Sequence, residues 1–127
     1  MGLVLHFLMR NPKVASITVV ELDEELVKLM RPLLEERGVV ADYVVGDAIS
    51  YVIAHGNRYD TVLLDIWAFS EEEGVEVVRA RRWHMELVRQ ALHAFLPSHV
   101  RLYIWGYRDS ETNPAVWKKP VYLEALA

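Results

Sequence analysis

The chain has 127 residues, 53% hydrophobic and 25% charged, a balance that excludes a disordered segment and suits one globular domain. A formal net charge of −4 argues against a nucleic-acid backbone as main partner, because domains that bind one are usually basic. The lack of cysteine rules out disulfides, thiolate zinc sites and cysteine nucleophiles, and fits a reducing cytoplasm.

Residues 2–10 (G-L-V-L-H-F-L-M-R) are mostly apolar and are closed by Asn11-Pro12. Periodicity cannot separate a buried strand from a buried helix here, but the strand that follows directly favours a helix. The run is too short to span a bilayer, lacks a basic leading segment and shows no clear cleavage site. The expectation is a soluble cytoplasmic protein.

Ser16 to Glu21 is the first strand, β-branched and apolar on both faces, as a covered parallel strand should be. Asp23 suits an N-cap, and Leu22 with Val27 suits a hydrophobic staple. Leu26, Met30 and Leu33, with Leu29 and Leu34 beside them, form a helical stripe; Pro32 predicts a kink and Gly38 a C-cap. Val39 to Val45 is the second strand. Gly46-Asp47-Ala48 leads into a short helix that ends at His55-Gly56-Asn57. Tyr59 to Asp65 is the third strand, and Ile66 to Phe69 an aromatic loop.

Glu71 to Leu96 is helical, as one helix or two, with Trp83, Leu87, Ala91 and Phe95 (and Val88 and Leu92) spaced as a stripe. Pro97 stops it. Val100 to Tyr107 is the fourth strand, with Val100, Leu102 and Ile104 on one face and Arg101, Tyr103 and Trp105 on the other. Packing against a helix is the commoner use of that aromatic face. Residues 121–123 suit an edge strand. Alternating helices and strands imply right-handed crossovers and an α/β fold, a mostly parallel sheet with helices on both faces.

Three successive strands end on acids: Glu21, Asp47 and Asp65. In a parallel sheet all strand ends share one edge, where open α/β sheets bind ligands. Glu21 can accept both hydroxyls of a ribose, Asp47 an exocyclic amine such as that of adenine, and Asp65 lies nearest a reacting centre. The competing reading is a set of solvated acids at strand ends. Trp67 and Phe69 can stack on a substrate or cap a cofactor, and can equally serve as packing. Arg79, Arg81, Arg82 and His84 form a basic cluster, read as an anion grip or as a solvated helix face paired with Glu71 to Glu73 and Glu76. The five histidines show no pair at metal-ligand spacing on one helix face, so no metal site is expected.

V-V-E-L-D-E-E-L-V, then G-D-A, then Y-D-T-V-L-L-D resembles the class I S-adenosylmethionine-dependent methyltransferase fold, in its spermidine-synthase-like branch. The resemblance covers residues 1 to 107 and implies a Rossmann-like sheet and S-adenosylmethionine, or its decarboxylated form, as cofactor. It implies that Glu21, with Leu22 beside it, binds the ribose, that Asp47 with Ala48 holds the adenine, and that Asp65 lies beside the sulfonium end. That family opens with a strand and a G-x-G-x-G turn. Here Gly2 resembles the last glycine of the turn, and Leu3 to Arg10 the helix after it. The expected fold is therefore N-terminally truncated, lacking a strand that in the family lies between those matching Ser16–Glu21 and Tyr59–Asp65. The strand edges so left open invite self-association.

A second departure follows Asp65. The acidic D-S-S-D type of loop that grips polyamines is replaced by Ile66-Trp67-Ala68-Phe69. The reading that results is a methyltransferase-like protein, truncated or inactive in one version, with Asp65 as a base or as a grip on the cofactor's ammonium group and Trp67 and Phe69 against the substrate. The alternatives are a spermidine-synthase-like aminopropyltransferase and a non-catalytic α/β module that pairs with itself or a partner.

Overall fold

Among the described residues four short strands and four α-helices alternate along the chain. The computed structural model describes residues 2–67 and 72–106. The order is α1 (Gly2–Arg10), β1 (Thr18–Glu21), α2 (Glu24–Glu36), β2 (Asp42–Val45), α3 (Ala48–His55), β3 (Thr61–Leu64), α4 (Val75–Phe95) and β4 (Arg101–Ile104), with a 3-10 turn over Gly56–Arg58. This is the α/β class that the hydrophobic pattern implies. β1 pairs with β2 and β3 with β4, both parallel, as two two-stranded sheets. A single sheet was the expectation; among the described residues no strand pairs with both β1 and β3. Contacts group the chain into two units, Met1–Tyr51 and Val52–Ala127.

In the first unit, Val19 of β1 lies opposite Tyr43 of β2. That face packs into a core of Leu5, Val19, Leu34 and Val39, with Ile17, Met30, Ala41 and Tyr43 against it. α2 begins where the sequence places it. The Asp23 carboxylate accepts from the backbone N–H of Glu25 at 3.0 Å and of Leu26 at 3.2 Å, satisfying two donors the helix cannot.

α2 ends in a Schellman motif. Gly38 takes φ +79°, its N–H bonds to the Glu35 carbonyl at 3.0 Å, and the Val39 N–H bonds to the Leu34 carbonyl at 2.9 Å. The motif carries Val39 back onto Leu34, and both are core residues. Helix termination and core formation are thus one event. Pro32 sits inside a helix that continues to Glu36.

Two expectations for α2 are corrected. Leu22 is 72% exposed, so it does not staple to buried Val27. The buried stripe is Val27 and Leu34, with Leu29 and Leu33 exposed. With five leucines, a methionine and a valine near one helix, hydrophobicity alone does not choose the face.

In the second unit, β3 alternates exposed and buried, with Val62 and Leu64 inside. α4 is one helix, packed on β4, and its buried residues are Arg82, Met85, Val88 and Leu92. The predicted stripe is rotated from this: Leu87, Ala91 and Phe95 are exposed and Trp83 is half-buried. β4 faces as the alternation implies, but Tyr103 at 52% and Trp105 at 60% exposure are not packed under a helix. Leu63, opposite Tyr103 in register, is exposed with them. The segment after Gly106, including the expected edge strand at 121–123, lies outside the described residues.

Gly56 is buried where a side chain would not fit. A Cβ there would lie 2.5 Å from Leu96 Cδ2 and 3.2 Å from Val52 Cγ1. Gly56→Ala is expected to lower stability by about 1–3 kcal/mol through overpacking, read as a lower urea midpoint at constant m. Tyr43→Phe is expected to act in the opposite direction. The Tyr43 hydroxyl is buried with no hydrogen-bond partner among the described residues, and burial raises its pKa. Removing that hydroxyl should leave stability unchanged or raise it by about 1 kcal/mol in the same assay.

Candidate ligand site at the strand exits

Parallel pairing brings the C-terminal ends of each strand pair to one edge. In the first unit Glu21 lies opposite Val45, and the Gly46 N–H extends the ladder to the Glu21 carbonyl at 3.0 Å. Asp47 follows one residue later, so Glu21 and Asp47 share that edge. Glu21 is half-buried. Its Oε1 accepts from the Asp23 N–H at 3.1 Å, which turns the carboxylate over the β1 exit. Oε2 remains as an acceptor.

Asp47 caps α3. Its Oδ1 accepts from the Ser50 N–H at 2.7 Å. This bond, with a further one from the Ser50 side chain, holds the carboxyl below the usual aspartate range. Asp47 is therefore an anion and a pure acceptor at neutral pH. Ala48 opens α3, Gly2 opens α1, and Leu22 projects outward from the β1 exit.

In the second unit Leu64 lies opposite Ile104, and the Trp105 N–H bonds to the Leu64 carbonyl at 2.9 Å. Asp65 follows directly and is exposed. Two residues on, the Trp67 indole N–H donates to His84 Nδ1 at 3.0 Å, with the rings edge to face at 5.7 Å and 73°. Phe69, the other predicted substrate contact, lies outside the described residues.

The basic cluster resolves into separate jobs. Arg79 pairs with Glu76 and Arg81 with Glu73, as the paired reading expects, but both arginine side chains are largely covered, so the face is not a solvated one. Arg82 does not belong to that face. It is 6% exposed, and its guanidinium donates to the Gly106 carbonyl just past β4. Its only trace in the sequence is its place three residues before Met85, on the buried stripe. The Trp67–His84 contact had no trace at all, since the residues are 17 apart and in different elements.

A family profile described as the spermine/spermidine synthase domain matches residues 1–94. The chain belongs to the spermine/spermidine synthase family. Comparison with curated proteins and with solved structures gave no match. Membership of the spermine/spermidine synthase family bears out the spermidine-synthase-like resemblance and the Rossmann-like α/β class. Among the described residues of this family member no helix is long and apolar enough to cross a membrane, and no cluster of His, Asp and Glu is suited to a metal ion.

Asp47 makes an acid-sensitive contribution to stability. Its folded carboxyl is held low, so the contribution is complete above the ordinary aspartate value of about 3.9 and is lost as pH falls through the lowered one. The difference in urea midpoint between wild type and Asp47→Asn is expected to stay constant from about pH 7 to pH 5 and to shrink below about pH 4.

Proposed function

We propose that this member of the family binds a sulfonium nucleoside of the S-adenosylmethionine type and takes part in aminopropyl transfer, with the decarboxylated form as donor. The observation that carries this reading is the family match over residues 1–94. The residues present fit such a ligand. Glu21 keeps an oxygen for ribose hydroxyls beyond its bond to the Asp23 N–H. Asp47 is ionised and can accept from the adenine amine. Bound there, the sulfonium nucleoside supplies an activated alkyl carbon with a neutral thioether as leaving group.

The protein's own contribution is positioning and proton handling. Glu21 and Asp47 are hydrogen-bond acceptors for the uncharged adenosine part of the ligand. Exposed Asp65 is suited to hold an ammonium group and, by accepting its proton, to free the amine as the nucleophile.

The loop after Asp65 favours a second reading. Ile66 and Trp67 stand where a polyamine-gripping loop carries further acids. That composition suits a less cationic acceptor and transfer of a methyl group from S-adenosylmethionine itself.

Calorimetry separates these readings. The wild-type chain is expected to bind decarboxylated S-adenosylmethionine, with affinity about ten- to a hundredfold weaker in Glu21→Ala, the loss of a charge-assisted hydrogen bond. Incubation with putrescine should then yield an aminopropylated diamine by mass spectrometry. Binding of S-adenosylmethionine in preference, with no product from putrescine, supports methyl transfer. No binding by the folded chain, or the same affinity in Glu21→Ala, removes both.

A further inference from the structure

α4 reaches both exits of the β3–β4 pair. Arg82 donates to the Gly106 carbonyl just beyond β4, and His84 accepts from Trp67 just beyond β3. Residues two apart on a helix leave it about 200° apart, so one helix can hold two separate loops in this way. The Arg82 contact is buried and belongs to the packing of the unit. The His84 contact is different, because His84 is exposed and Trp67 only half-buried. A hydrogen bond so placed adds little to folding, on the order of 1 kcal/mol. What it does is fix an orientation. A hydrogen bond and an edge-to-face ring contact act on one indole, and together they restrict both of its side-chain torsions.

We propose that His84 is a positioning residue, holding the Trp67 indole two residues beyond Asp65 as a fixed wall for the acceptor amine held at the β3 exit. This rests on the functional reading above. Nδ1 accepts from the indole, so His84 has a different partner from its neighbours Arg79 and Arg81, which pair with glutamates. An indole left to rotate would have to be ordered by each ligand as it binds, at a cost in affinity. The preformed contact removes that cost.

The 127-residue chain labelled with 15N-tryptophan tests this. Trp67→Phe identifies the Trp67 indole resonance among the four tryptophans. His84→Ala is expected to shift that resonance towards the position of a solvent-exposed indole, and His84→Gln, whose amide oxygen can accept, to restore part of the shift. A Trp67 resonance unmoved by His84→Ala overturns the proposal. In calorimetry with putrescine, whose amine Asp65 beside Trp67 is suited to hold, His84→Ala should weaken binding about three- to tenfold. It should have no further effect in a Trp67→Phe background, and additive losses overturn the proposal. Absence of binding in the wild type removes the functional reading alone, because the resonance reports the positioning of Trp67 without ligand.

Discussion

Parallel pairing is the constraint from which the rest of this molecule follows. Two neighbouring strands that run the same way need a crossover between them, and a helix is the crossover that satisfies its own backbone. α2 fills that role between β1 and β2, and α4 between β3 and β4. Each strand pair then has both exits at one end, with the next helix starting close by. Short strands suffice because helices supply much of the buried area: Leu34 of α2, and Met85 and Leu92 of α4, are among the most completely enclosed apolar residues described.

The same geometry concentrates polar demand at the exits. A helix that starts there presents backbone N–H groups with no partner, and acids answer them. Asp23 serves α2 and Asp47 serves α3, while Glu21 bonds to the Asp23 N–H between strand and helix. The bond that holds Asp47 in place also keeps its carboxyl below the usual aspartate range.

α4 shows how one helix serves several demands through its faces. Arg79 and Arg81 meet glutamates near its start, Arg82 turns inward to a backbone carbonyl, and His84 meets an indole. A cluster of four basic side chains therefore presents no common anion site. Charge in sequence is not charge at a surface point, because successive residues on a helix diverge by about 100°.

Much of this was settled by local chemistry and is legible in the residues themselves. Strand positions follow from β-branched runs, the start of α2 from Asp23, its end from Gly38, and the location of Glu21, Asp47 and Asp65 from the ends of those runs. Each depends on neighbours within a few positions, so sequence order carries the information. What only the tertiary structure decided are the choices between equivalent local options. Leu29 and Leu33 on α2, and Leu87 and Phe95 on α4, are as apolar as the residues that were buried instead, and the packed face was set by partners distant in sequence. The division into two strand pairs, the inward turn of Arg82 and the bond between Trp67 and His84 have the same origin. Each joins positions whose proximity exists only once the crossovers have closed, and no spacing along the chain encodes it.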